Sequence, residues 1–172
     1  MIGKTTLIVR LATDRFEDQY YINNCYQDYQ AYLRNEMGRF TMYLWDTAGQ
    51  MDYDRLRPLS YPDTDVFLLA FNLDNEHALE TKDRWLSELH HFNPETPILL
   101  VGTKSDLREE DQSGISQKRG EEMAVKMGCV SYVETSSLSG QGINELRHAI
   151  VETYVLSHLS KSVKKAKKCL LQ

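Results

Sequence analysis

The spacing of apolar and polar positions divides the chain into short apolar runs alternating with longer amphipathic ones. Leu7, Ile8, Leu11 and Ala12 recur at helical spacing and predict a helix over Thr5–Ala12. Residues 13–27 are polar, rich in tyrosine and without a period, which predicts a long loop, and such loops in compact domains usually carry function. Tyr29–Arg34 and Arg39–Trp45 alternate around Asn35-Glu36-Met37-Gly38, the signature of a hairpin. Residues 51–63 are charged and irregular, interrupted by Pro58 and Pro62. Val66–Phe71 and Pro97–Gly102 are apolar throughout, as in parallel strands covered on both faces. Helices are predicted over Glu76–Phe92, Ser116–Met127 and Gly142–Leu159, with a short strand at Val130–Val133. This alternation predicts an α/β fold, a mostly parallel sheet with helices on both faces. No internal repeat and no second domain is visible in the pattern.

Composition narrows the picture without changing it. The chain of 172 residues is long enough for one domain with a full core. No apolar run approaches the ~18 residues of a membrane-spanning helix. The formal charge is −5, but residues 161–172 hold five lysines and no acid, so residues 1–160 carry −10. An acidic body argues against general nucleic-acid binding, which needs a basic face for the phosphates. The three cysteines, Cys25, Cys129 and Cys169, are scattered and show no metal-ligand spacing, which predicts a reduced, intracellular protein. Cys25 and Cys129 have no partner base in the pattern and read as core or surface positions rather than nucleophiles. His90 and His91 end a predicted helix, where imidazole complements the dipole.

Candidate chemistry collects at strand ends, where open α/β sheets bind ligands. Gly3-Lys4-Thr5 is the ending of the phosphate loop G-x-x-x-x-G-K-[ST], without its first half. A lysine there reaches terminal phosphates, the hydroxyl takes a divalent cation, and the first-turn N–H groups face the anion. Asp46-Thr47-Ala48-Gly49-Gln50 follows a predicted strand directly, as does Thr103-Lys104-Ser105-Asp106, and Glu134-Thr135-Ser136-Ser137 follows the last strand.

These motifs, in this order, resemble those of small GTPases. Trp45–Gln50 followed by Asp52-Tyr53-Asp54-Arg55-Leu56-Arg57-Pro58-Leu59-Ser60-Tyr61-Pro62 is similar to the second switch of the Rho/Rac family in particular. The resemblance covers nearly the whole chain. It implies the P-loop NTPase fold, GTP and GDP as ligands, Mg²⁺, and GTP hydrolysis as a molecular switch. By resemblance, Gly3, Lys4, Thr5 and Thr6 hold phosphates, Thr5 and Asp46 hold the metal, and the Gly49 amide senses the γ-phosphate. Gln50 orients the attacking water. Thr103, Lys104, Asp106, Ser136 and Ser137 form the guanine pocket, with Asp106 accepting from the guanine edge, the Ser137 amide contacting the guanine oxygen and Ser136 supporting the loop. Phe16 either packs edge-on against the base or simply anchors its loop. Hydrolysis by positioning alone is slow, so an activating protein supplying an arginine is expected.

The end of the chain fits the C-a-a-X pattern. Lys161, Lys164, Lys165, Lys167 and Lys168 precede Cys169-Leu170-Leu171-Gln172, which predicts prenylation of Cys169 beside a polybasic stretch. One lipid chain binds reversibly, and lysines near an anionic leaflet supply the second signal. The expected organisation is a GTPase domain over residues 1–160 and a tail over 161–172. The resemblance further implies exchange factors, GTPase-activating proteins, effectors and a dissociation inhibitor as partners. It implies a monomer at the cytoplasmic face of the plasma membrane or endomembranes with a cytosolic pool, signalling to the actin cytoskeleton.

Three departures from the family pattern matter. The first switch carries Ile22-Asn23 where the family has Pro-Thr, which predicts a less ordered GTP state; Asn23→Thr should slow nucleotide release. The connection from Asp106 to Ser136 is about ten residues shorter than is typical, so the family's insert helix is expected to be missing. The family's first strand, which lies between those at 39–45 and 65–71, is also missing, leaving two inner edges unpaired and a marginal fold. The expectation is a true start roughly a dozen residues upstream. The rival reading is a non-hydrolysing pseudo-GTPase that serves as a binding module. An ATP-using P-loop enzyme is disfavoured by Thr103-Lys104-x-Asp106.

Overall fold

The structure, a computed structural model, describes residues 2–16, 28–74, 82–111 and 114–169, with backbone alone at 82, 109–111 and 161–169. Helix α1 spans Lys4–Thr13 and is followed by the antiparallel hairpin of β1 (Asp28–Asn35) and β2 (Gly38–Trp45). Two short 3-10 turns, Met51–Tyr53 and Arg57–Ser60, lead to β3 (Phe67–Asn72), α2 (Lys82–Phe92) and β4 (Ile98–Thr103). Then come α3 (Ser105–Asp111), α4 (Gln117–Lys126), β5 (Ser131–Thr135) and α5 (Ile143–Cys169).

The apolar runs become the inner strands for the reason their pattern gives. Every residue of β4 is buried. Leu99 and Val101 face α1 and α5 and join Leu7, Leu11, Ile143, Leu146 and Ile150. Leu100 faces the other way, towards Ile115, Ala124 and Met127, and Ile98 meets Leu89 of α2. Helices therefore cover both faces of the parallel part of the sheet. Its register aligns Asn72 with Thr103 and Thr103 with Thr135, so three strands end on one line.

The sheet is not continuous. β1 pairs with β2 in one ladder and β3, β4 and β5 in another, and among the described residues no strand joins β2 to β3. Side chains span the interval instead, since Ala31, Met42 and Leu44 of the hairpin share a core with Leu99 and Val101.

Two elements differ from the sequence reading. Residues 105–111, read as a site loop and polar connection, form the short helix α3, opened by Ser105 and Asp106 in its first turn. Helix α5 does not stop near 159 but continues across the expected domain boundary to Cys169. Lysine is a good helix former, and nothing in 160–169 breaks the helix.

Candidate functional site

The start of the chain is the hub of the strand-end motifs. Gly3 caps α1 in the left-handed conformation, with φ of 82°, and brings no capping side chain. A helix begins with backbone N–H groups that lack intrahelical acceptors, and a cap of this kind leaves their front open to an anion. Thr103 ties this turn to the sheet: its hydroxyl lies 2.7 Å from the Ile2 carbonyl and 3.0 Å from that of Phe71. The side-chain carbons of Lys104 lie over Gly3, with Cε 3.8 Å from where a Cβ would stand. The Lys104 backbone, at φ of 61°, turns the chain sharply from β4 into α3.

Opposite the helix start stands Asp46, only 6% exposed at the end of β2. The Thr5 hydroxyl donates to Asp46 Oδ2 at 2.5 Å. The other carboxylate oxygen, Oδ1, is buried and has no hydrogen-bond partner. Burial raises the Asp46 pKa, against the lowering effects of the Thr5 hydrogen bond and the Lys4 charge. Lys4 reaches across to the next loop, and a Cβ on Gly49 would stand 3.1 Å from its Nζ. A side chain at residue 49 would push the ammonium aside.

The second half of the ring is built from loops. The buried Ser105 hydroxyl is 3.5 Å from Gln141 Oε1, joining the turn after β4 to the one after β5. The Thr135 hydroxyl donates to the Gly102 carbonyl at 3.1 Å. Ser136, fully buried, is spent on its own loop: its N–H donates to Gln141 O, and its hydroxyl and carbonyl accept from the Ser139 and Gly140 N–H groups. Gly142 closes that loop at φ of 71°, and a Cβ there would fall 1.8 Å from the Glu134 carbonyl oxygen.

Of the residues named from sequence, Gly3, Lys4, Thr5, Asp46, Gly49, Thr103 and Lys104 are brought together. Ser136 sits in the loop anchored to them. Asp106 is half-buried in the first turn of α3, and its carboxylate has no ion pair or hydrogen bond among the described residues. Gln50 is exposed beside Gly49, Ser137 is half-buried, and Phe16 is 38% exposed. The Thr103 hydroxyl holds backbone in place rather than facing a ligand, and the Ser136 side chain supports its loop as expected. Asn23 and Cys25 lie outside the described residues, as does the side chain of Cys169.

Sequence reasoning missed the support behind Gly49. Arg57, 2% exposed, donates through Nη1 to the Ala48 carbonyl at 3.0 Å. Its other nitrogens grip Glu88 at 2.8 and 2.6 Å and Asp54 at 2.8 Å. Its guanidinium also lies over the Trp85 ring, 4.4 Å from the centroid. The loop before Gly49 is thereby bolted to α2. Asp54 and Tyr61 are close to Arg57 in sequence and give a faint local signal, but Glu88 lies 31 positions away.

A helix start carrying Lys and Thr, a buried carboxylate against that Thr, and a Lys-x-Asp turn at the neighbouring strand end define the class of P-loop nucleotide-binding switch proteins. Comparison with known proteins gives the branch. The Ras family profile matches residues 1–155. GTP-binding protein Rho1 of Kluyveromyces lactis is 38% identical over 176 aligned positions, covering 96% of this chain and 84% of that protein. GTP-binding protein RHO1 of Eremothecium gossypii is 37% identical, covering 98% of this chain and 89% of its own. The chain belongs to the Ras family and is a Rho-type small GTPase, which binds guanine nucleotide and hydrolyses GTP.

Proposed function

We propose that this GTPase is a Mg²⁺-dependent switch that works at a membrane. Its phosphates lie at the start of α1 and its guanine at the ends of β4 and β5. Thr5 and Asp46 hold the metal. The observation that carries this is the orphaned Oδ1 of Asp46 beside the Thr5 hydroxyl. A buried, unpartnered carboxylate oxygen costs about 1–3 kcal/mol or more, and a hard cation that prefers oxygen ligands removes that cost. When bound, Mg²⁺ neutralises charge on the phosphate oxygens.

The chain's own groups do the rest. Lys4 places an ammonium beside the terminal phosphates, and the N–H groups of Thr5 and Thr6 open the helix towards them. The Gly49 amide distinguishes GTP from GDP, and Gln50 holds the attacking water in line. Asp106 accepts from the guanine edge, Lys104 lies along the base, Ser137 offers its amide to the guanine oxygen, and Phe16 closes the side. Residues 1–160 form the GTPase domain, and 161–172 form a tail prenylated at Cys169. The lysines hold that tail to the inner leaflet, at the plasma membrane or endomembranes, with a cytosolic pool. Exchange factors, GTPase-activating proteins, a dissociation inhibitor and effectors acting on the actin cytoskeleton are the partners of a monomer.

The test is release of a fluorescent GDP analogue with and without a chelator. Chelation should speed release at least about 10-fold in the parent chain, whereas Thr5→Ala and Asp46→Asn should release quickly in both conditions. Variants that keep the parent's response to chelation refute the metal assignment.

A further inference from the structure

The hairpin carries two arginines in an arrangement that its own fold does not explain. Arg34 and Arg39 are direct cross-strand partners in the β1–β2 register. Both are exposed and belong to the outward face, opposite the one that buries Ala31, Met42 and Leu44. Like charges placed directly opposite destabilise a ladder. Among the described residues neither arginine has an ion pair or a hydrogen bond to an acid. The surroundings are apolar on one side: Tyr32 is 79% exposed, and Met37, at the turn, is 38% exposed. Tyr32, Leu33, Phe40 and Thr41 join the two arginines around a shallow depression of about 350 Å³. The turn is held by the Asn35 side chain, which accepts from the Met37 N–H at 3.0 Å.

The position of this tip matters as much as its charge. Strand β2 runs from the tip to Asp46, eight residues that span roughly 25 Å at about 3.3 Å each. The arginines therefore occupy the end of the molecule remote from the nucleotide. Helix α5 runs to that same end. Tyr154 meets Phe40, the neighbour of Arg39, edge-on with ring centroids 6.3 Å apart. One turn on, His158 lies 3.6 Å from Asp65, just before the first residue of β3. The backbone of α5 then continues through the lysine-rich stretch 161–168.

We propose that the hairpin tip is a second membrane contact, in which Arg34 and Arg39 bind anionic lipid headgroups while Met37 and Tyr32 enter the interface. This deepens the membrane reading given above and rests on it. The occupant is a lipid surface rather than an acidic protein because the tip shares its end of the domain with the helix backbone that carries the lysine stretch to Cys169. Two basic contacts on separate elements fix an orientation, with the nucleotide site facing away from the leaflet. Glu36, in the turn between the arginines, offsets part of their charge.

The test is sedimentation of the full, unprenylated 172-residue chain with vesicles of phosphatidylcholine containing about one-third phosphatidylserine, at fixed ionic strength. At ~1 kcal/mol per basic residue, partitioning should fall about 30-fold in Arg34→Gln/Arg39→Gln. It should survive Arg34→Lys/Arg39→Lys and rise a few-fold in Glu36→Gln. Nucleotide content reports folding in each variant. Parent-like binding by the double glutamine variant overturns the proposal, whichever other anion the arginines then serve. So does a loss that the double lysine variant shares, since charge would not be its cause. Replacing the five tail lysines by glutamine tests the tail separately: parent-like binding there would refute the tail's role while leaving the arginine comparison readable.

Discussion

Glu88→Gln isolates the ion pair that fixes the loop before Gly49. In the parent, Glu88 accepts two hydrogen bonds from Arg57 and one from the Tyr61 hydroxyl at 2.5 Å. Glutamine keeps the shape but removes the charge, leaving a guanidinium that is 2% exposed with Asp54 alone to balance it. Removing one partner of a buried ion pair costs about 3–5 kcal/mol. Asp54 remains and is partly solvated, so about 3 kcal/mol is expected, a large share of a total near 5–15. For a chain of this size the melting point should fall by roughly 6–12 °C. Urea unfolding followed by tryptophan fluorescence is the direct assay, because Trp85 lies under the Arg57 guanidinium. The pH dependence is a second check. Burial pulls the Glu88 pKa upwards, but the hydrogen bonds from Arg57 and Tyr61 and the Arg57 charge outweigh it, and the net shift is downward. A carboxylate depressed in the folded state contributes stability above its unfolded pKa of about 4.3, lost as pH falls through the folded value. The variant should therefore lose less stability than the parent on acidification below about pH 4.3. A cost under about 1 kcal/mol with an unchanged acid limb would refute the view that Glu88 holds Arg57.

Other outcomes follow from the same geometry. Gly142→Ala must place a Cβ 1.8 Å from the Glu134 carbonyl oxygen at a φ of 71°, so the loop after β5 has to move; nucleotide affinity should fall and thermal stability drop by about 1–3 kcal/mol. Burial pushes the Cys129 thiol up to about 11. Its alkylation at pH 8, followed by peptide mass mapping, should be at least about 10-fold slower than in the urea-unfolded chain. Asp106→Asn exchanges an acceptor pair for one acceptor and one donor. GTP affinity should fall by about 10-fold or more and xanthine nucleotide affinity should rise, read by competition binding.

Much of this could be read from the residues because burial and periodicity agree. The run from Ile98 to Thr103 is apolar where the strand is covered on both faces, and the hairpin alternates where one face is wet. Helix α3 was hidden because six of its seven residues are charged or polar, and Leu107 alone makes no apolar period. The extension of α5 escaped because lysine-rich sequence is compatible with both helix and tail. In the site, short motifs named the residues but not their duties. Thr103 stands in the base motif, yet its hydroxyl serves the Ile2 and Phe71 carbonyls, a contact that spans 101 positions in the first case. The Arg57–Glu88 pair is invisible for the same reason: its partners meet only once the loop has folded onto α2.

The interval between β2 and β3 gives the molecule a seam. Two groups of elements, the hairpin with α1 and the three-stranded sheet with its helices, are joined by side-chain packing around Leu99 and Val101, with no backbone ladder between them among the described residues. Packing contacts permit small sliding movements that hydrogen-bonded strands resist, so hydrogen exchange should find β4 the slowest element and the facing amides of β2 and β3 much faster. Asp46 sits on one side of that seam and Lys104 on the other, while α1 carries Thr5 against the first and Gly3 against the second. A nucleotide that engages both groups acts as a rivet across the seam. At the proposed site its departure should loosen both halves together and its arrival stiffen them from a single point, which hydrogen exchange with and without bound nucleotide reads directly.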